Sequence, residues 1–147
     1  NSTLRLTYGS VQDYDPRDGV KYHWLTYADG IIEKMDNSDP EFVVDPKLEQ
    51  LIRAKDYGRY ADETGNLPVC FLSDNDITGG NSGSPIINGK GELIGLAFDG
   101  NWEWLCSNLI FSTSLQRTIN VDSRYVLWVI DKFAGAQNII NELDIRQ

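Results

Sequence analysis

The chain has 147 residues, 41% of them hydrophobic, with four Trp, seven Tyr and five Phe, enough apolar mass for one globular domain. Thirteen basic against twenty-two acidic residues leave a net charge of −9, and no basic cluster exists to follow nucleic-acid phosphates or an anionic membrane surface. No apolar run reaches the roughly 18–20 residues of a membrane span and no charged-then-apolar signal segment opens the chain, which leaves a cytoplasmic protein or a piece of a longer one.

The opening residues, NSTLRLTYGSVQDYDP, alternate as a strand does, and the expectation is a fragment that starts inside a larger fold. Val20 to Ala28 and Ile31 to Met35 are β-branched and aromatic runs separated by Asp29-Gly30, which predicts a hairpin. Asp45-Pro46 supplies a helix cap and a first-turn proline, and Leu48, Leu51 and Ile52 follow at helical spacing. Leu67 to Leu72 is a short apolar strand. A second hairpin is predicted at Asn88-Gly89, with a strand from Leu93 to Phe98, and further strands at NLIFSTS and RTINV. From Asp122 onward the pattern turns helical: YVLWVIDKFAG is apolar on most faces with Gly135 as its stop, and AQNIINEL adds a shorter amphipathic stretch. The reading is mostly β, with one internal helix and a helical end, and no repeat or linker divides it.

Cys70 and Cys106 allow one disulfide at most, and their context leaves open whether it forms. With His23 the only histidine and no close Cys or His pair, a zinc site lacks ligands, so neither a metal nor another cofactor is expected.

Between the strands lies TGGNSGSPII, residues 78–87. A serine hydroxyl is a weak nucleophile that needs a base beside it and fixed donors for the oxyanion it generates. Two backbone amides converge on one spot only if the chain turns sharply around the serine, which favours residues without a Cβ. Gly80-Asn81-Ser82-Gly83-Ser84-Pro85 has that composition, making Ser82 the candidate nucleophile and the amides of Gly80 and Ser82 the candidate oxyanion hole. The plain alternative is a flexible loop.

The order of glycine loop, Ser-Gly-x-Pro, apolar strand, hairpin and GELIGLAFDG over residues 67–102 resembles the second barrel of chymotrypsin-like serine peptidases. The resemblance implies a second six-stranded β-barrel of a double barrel, with Leu96 to Gly100 running along the substrate as one wall of its specificity pocket. TGGNSGSPIINGKGELIGLAFDGNWE and LQRTINVDSRYVLWVIDKFAGA, together with NSTLRLTYG and AKDYGRYADETGNLPVCFLSDNDITGGNSGSP upstream, narrow this: nearly the whole chain is similar to the C-terminal end of the bacterial dipeptidyl-peptidase 7 and 11 family.

That resemblance implies a periplasmic or surface-attached homodimeric enzyme that releases dipeptides from peptides with a free N-terminus. A helical domain would be inserted between its barrel halves, and this chain would be the second barrel only. Carried onto matching positions, Ser82 is the nucleophile and Asp99, after Phe98, the carboxylate that helps hold the substrate's terminal ammonium; a solvated turn acid is the alternative. A fixed carboxylate suits an exopeptidase, because it counts from a free amine through a charge-assisted hydrogen bond that an internal peptide bond cannot replace. Acidic-specific members resemble one another in having arginine after Phe-Asp. Gly100 in this chain offers no guanidinium, which implies an apolar side chain beside the scissile bond, as in the dipeptidyl-peptidase 7 type, unless Gly100 serves only the turn.

Asp76 stands where trypsin-like enzymes place a pocket base, and SDNDITGG reads instead as a polar loop. His23, in VKYHWLTY, matches no triad position, so the base and its orienting acid are expected from the absent first barrel, and the isolated chain is expected to be nearly inactive. Two other readings stay open. One is a secreted glutamyl-endopeptidase-like enzyme, against which the missing histidine and the helix-rich tail count. The other is a barrel that only binds peptides or a partner. The aromatics Phe98, Trp102, Trp104 and Trp128 further predict a sticky apolar surface.

Overall fold

A computed structural model describes residues 4–106 and 112–146. The protein is mostly β. Strands β1 (Tyr14–Arg17) and β2 (Val20–Tyr22) form an antiparallel ribbon, and β3 (Leu25–Tyr27), β4 (Pro68–Ser73), β5 (Pro85–Ile87), β6 (Leu93–Gly100) and β7 (Thr118–Asp122) form a second sheet in the order β3-β4-β7-β6-β5. The hydrogen-bonded strands among the described residues thus form a five-stranded sheet and a separate ribbon; closure into a six-stranded barrel is not among their pairings. The strand expected at NLIFSTS falls largely outside the described residues.

The tight turn of the first hairpin is not where the sequence suggested. Asp29-Gly30 opens a short helix, α1 (Asp29–Glu33), with Asp29 as an acid in its first turn. The ribbon turns instead at Asp18-Gly19, where Gly19 takes a φ of +74° between β1 and β2. The opening residues also depart from expectation: residues 4–10 belong to no strand, and the segment meets β4 at an isolated bridge from Val11 to Ser73, beside which Gln12 N donates to Leu72 O at 3.3 Å.

By contacts the chain groups into two units, residues 1–25 with 70–122, and residues 26–69 with 123–147. In the second unit α2 (Pro46–Arg53) forms as expected: the Asp45 side chain accepts from the amides of Lys47 and Leu48, and Pro46 sits where no amide is needed. Its apolar face joins a core of Ala28, Ile52, Tyr57, Tyr60, Leu67 and Trp128, with Leu48 and Leu51 packed against it. The polar tips inside that core are all engaged. Trp128 Nε1 donates to Asp56 O at 2.9 Å, Tyr57 Oη to Ile52 O at 3.2 Å, and Tyr60 Oη to an Asp131 carboxylate oxygen at 2.8 Å. The C-terminal stretch is α3 (Ser123–Trp128), a π-helical turn over Val129–Phe133, and α4 (Gln137–Glu142) beyond Gly135. No described helix is long and apolar enough to cross a membrane.

The first unit is built differently. Along β4 and β7, Ser73, Thr118 and Asn120 are buried together with Asn75 and bond to one another: Ser73 Oγ donates to Asn75 Oδ1 at 2.6 Å, Asn120 Nδ2 to Ser73 Oγ at 2.8 Å, and Thr118 Oγ1 to Asn75 O at 2.7 Å, while Asn120 Oδ1 is buried without a partner among the described residues. Arg117 is buried as well, its guanidinium donating to the carbonyls of Thr113, Gln116 and Asp13 and standing over the Tyr14 ring.

Candidate functional site

The glycine-rich segment is two successive turns. Asn81 N donates to Thr78 O at 3.1 Å and Ser84 N to Asn81 O at 2.9 Å, so the turns share Asn81, and the third residue of each is a glycine in the left-handed region, Gly80 at φ +97° and Gly83 at φ +83°. Only glycine takes those angles without a Cβ penalty, which answers why the stretch is so rich in it. The Asn81 side chain locks the first turn by accepting the Thr78 amide at 2.8 Å. Sequence reasoning gave Asn81 no role; its signal was an amide at the last position of a Thr-Gly-Gly-Asn turn.

Ser82 is thereby held at the exposed crest of the second turn. Its Oγ donates to Phe98 O at 3.3 Å. Among the described residues the amides of Gly80 and Ser82 donate to no backbone or side-chain acceptor, whereas the Gly83 amide is spent on Ala97 O at 2.7 Å and Ala97 N returns to Ser84 O at 2.9 Å. That pair of bonds fastens the serine turn to β6.

Phe98 faces the serine because β6 is irregular there. Ala97 pairs with Asn120 and Asp99 with Ile119, so the register against β7 shifts at Phe98, a bulge of the kind that re-aims backbone beside a site. Beyond the bulge, Phe98 is 59% exposed, Asp99 is exposed, and Asp99 Oδ1 accepts the Gly100 amide at 2.8 Å. On the far side of the sheet pair, the hairpin of β5 and β6 forms as expected, though its turn runs from Asn88 to Glu92 and Gly91, rather than Gly89, takes the positive φ of 81°.

Gly100 carries a second contact that its sequence context did not signal. A Cβ there would stand 2.3 Å from Cδ2 of Trp104, so the indole lies directly on the bare Cα. Trp104 belongs to a 3-10 turn over Trp102–Cys106 at the end of β6, and its Nε1 is buried without an acceptor among the described residues.

Other candidates lie apart from this geometry. The His23 ring engages its neighbour, Nδ1 accepting the Leu25 amide at 3.2 Å, and among the described residues it shares no hydrogen bond with Ser82. Asp76 is exposed in the segment before the glycine turns, which buries Asn75 instead. Cys70 is half-buried on β4, and the Cys106 side chain lies outside the described residues. The four aromatics expected to form one sticky surface separate: Phe98 and Trp102 are exposed, Trp104 is half-buried, and Trp128 is fully buried in the second unit's core.

The chain that carries this exposed serine on its glycine turns matches the family description Peptidase S46 over residues 1–145. The chain belongs to that family. It is 58% identical over 99% of its length to a dipeptidyl-peptidase 7 of Phocaeicola vulgatus, and 52% identical over 99% to an Asp/Glu-specific dipeptidyl-peptidase of Porphyromonas gingivalis. In each case it spans 20% of the relative's own length. Among solved structures, Porphyromonas endodontalis DPP11 in complex with the dipeptide Arg-Glu superposes with a TM-score of 0.93 at 50% identity, covering 95% of this chain and 20% of that one.

Proposed function

We propose that this chain is the nucleophile-bearing part of a longer serine-type dipeptidyl-peptidase. Ser82 Oγ attacks the carbonyl carbon of the second peptide bond from a free N-terminus, and the amides of Gly80 and Ser82 receive the charge that collects on the carbonyl oxygen. The observation that carries this reading is the double turn: two glycines in the left-handed region lift Ser82 to the surface and leave those two amides undonated, while the Gly83 amide between them and the strand is used for anchoring. Fixed donors of this kind need no reorganisation as charge develops, which is why they accelerate the chemical step.

Asp99 holds the substrate's terminal ammonium in this proposal. Its Oδ1 is already oriented by the Gly100 amide, and the second oxygen is open to a charge-assisted bond. Overall likeness does not choose between apolar and acidic substrates, since relatives of both names match at 58% and 52%. Gly100 supports the apolar reading, since it supplies no cation for a substrate carboxylate beside the scissile bond. His23 is committed to its own turn, so the general base comes from residues outside this chain, in a preceding barrel that completes a chymotrypsin-like pair. We place that longer protein as a homodimer in the periplasm or on the cell surface, and the isolated chain as nearly inactive.

Dipeptidyl reporters with free and N-acetylated termini, carrying Leu, Phe, Asp or Lys beside the scissile bond, test this on the full-length enzyme and its Ser82→Ala variant. The expected result is turnover of free-amine, apolar substrates only, abolished by the alanine, and declining as the substrate amine loses its proton at about pH 7.7–8. Equal cleavage of acetylated substrates would remove Asp99 from its role and turn the reading into an endopeptidase.

A further inference from the structure

Gly100 lies two residues beyond Phe98, whose carbonyl accepts the Ser82 hydroxyl, so the end of β6 flanks the nucleophile. A Cβ at position 100 would meet Cδ2, Cγ and Cε3 of Trp104 at 2.3, 2.4 and 2.6 Å, well inside the separation at which carbon atoms attract. These atoms sit at the root of a rigid ring, not at the free end of a flexible chain.

The backbone that carries the ring is braced. Trp104 N donates to Asn101 O at 2.9 Å. The preceding residue is held through both its side chain and its carbonyl: Glu103 Oε2 accepts from Asn101 Nδ2 at 2.9 Å and Tyr14 Oη at 3.3 Å, and Glu103 O accepts from Gln116 Nε2 at 3.2 Å. Asn101 is itself 7% exposed and accepts the Arg117 amide at 2.9 Å. These bonds hold in place the turn from which the indole projects over Gly100.

We propose that Trp104 is a specificity-determining residue of the site: its indole, seated on Gly100, fills the space a side chain at position 100 would take and forms an apolar floor that limits the substrate side chain beside the scissile bond. The inference rests on the peptidase reading above. A glycine alone would leave an open slot. A glycine covered by a braced indole gives a shallow, uncharged surface, against which a carboxylate loses hydration with no partner and a large ring finds too little depth.

The test uses the full-length enzyme with free-amine dipeptidyl reporters ending in Val, Leu, Phe or Asp, for wild type, Trp104→Ala, Trp104→Phe, Gly100→Ala and the Gly100→Ala/Trp104→Ala pair. Titration of the reactive serine with a fluorophosphonate counts competent sites, so lost folding does not pass for altered preference. Trp104→Ala is expected to raise the Phe-to-Leu ratio of kcat/KM by about tenfold, the discrimination that small changes in apolar pocket size produce. Trp104→Phe, which keeps a ring over Gly100, is expected to move that ratio less. Gly100→Ala is expected to lower kcat/KM for every substrate, and to do so much less when Trp104 is already alanine.

If Trp104→Ala gives no titratable sites, Trp104→Leu carries the same comparison. An unchanged ratio in these variants, or equal effects of Gly100→Ala in both backgrounds, overturns the proposal while leaving the peptidase reading intact. Absence of Ser82-dependent turnover in the wild type overturns both.

Discussion

The unit of residues 26–69 and 123–147 buries Ala28, Ile52, Tyr57, Tyr60, Leu67 and Trp128, whereas the unit of residues 1–25 and 70–122 buries Ser73, Asn75, Asn101, Gln116, Arg117, Thr118, Asn120 and Asp122 with little apolar company. Burial of apolar surface is non-directional and scales with area, so the first of these cores contributes stability and tolerates some adjustment. Hydrogen-bonded polar groups contribute less net free energy but fix position, because each fails if its partner moves. The serine turn, the bulge and Trp104 all belong to the polar-cored unit. The site proposed to hold two amides and a carboxylate in register is thus carried where geometry, rather than area, is the main product of burial.

The largest expected effect tests the apolar side of that contrast. Trp128 is wholly buried, meets Tyr57 edge-on and Tyr125 stacked with ring centroids 6.0 Å apart in each pair, and donates to Asp56 O. Trp128→Ala is expected to cost about 3–5 kcal/mol in urea unfolding, and a loss under about 1 kcal/mol would mean that this core is not the principal source of stability. Asn120→Ala is expected to cost about 1–3 kcal/mol, since it removes the donor that Ser73 Oγ and Phe71 O accept from in a buried setting. The sharper readout is local: amide exchange at Ala97 and Gly83, whose bonds fasten the serine turn to β6, should quicken more than in Trp128→Leu. Equal exchange in the two variants would dissolve the distinction between the cores.

A pH series sharpens the contrast further. Burial, aided by the Asp131 carboxylate, pushes the Tyr60 phenol up to about 12, while an unfolded tyrosine titrates near 10. Between those values the unfolded state releases a proton that the folded state keeps. Stability from this group is therefore fully present below about pH 10 and is lost as pH rises towards 12. Tyr60→Phe is expected to flatten the alkaline decline in urea midpoints without removing it, because burial raises Tyr57 too; parallel declines would show that Tyr60 does not carry it. The smallest effect is at the α2 cap, where Asp45→Ala is expected to cost about 1 kcal/mol and Asp45→Asn almost nothing, read by the same unfolding.

Much of this was legible from short-range chemistry. Asp45-Pro46 announced its helix, Gly135 its stop, and TGGNSGSP a sharp turn around its serine, though not that there are two, because each depends on the intrinsic preferences of a few adjacent residues. Asp29-Gly30 misled for the same reason that Asp18-Gly19 was overlooked. Both dipeptides can turn a hairpin, and the choice was made by flanking residues: Ala28, Ile31 and Ile32 pack into the apolar core as a helical turn, while the polar YDPR strand before Asp18 gave no hydrophobic signal. The motif offered Ser82 and Gly80 as candidates, and the family likeness added Asp99 and Gly100. Neither could show Trp104 on Gly100, a contact across a turn that no spacing rule encodes. The bulge at Phe98 was equally silent, since it exists only as a mismatch between two strands.

That mismatch gives β6 a parity. Up to Ala97 its residues alternate in step with β7, and from Asp99 onward they alternate in the opposite phase, with Phe98 as the point of inversion. Losing or gaining one residue anywhere between Ala97 and Gly100 would exchange inward for outward across the whole site-facing end, sending Asp99 and Gly100 to each other's faces. The pairing therefore fixes the length of this segment, and an exchange of side chain at Phe98 or Trp104 leaves the phase intact where an insertion or deletion would not.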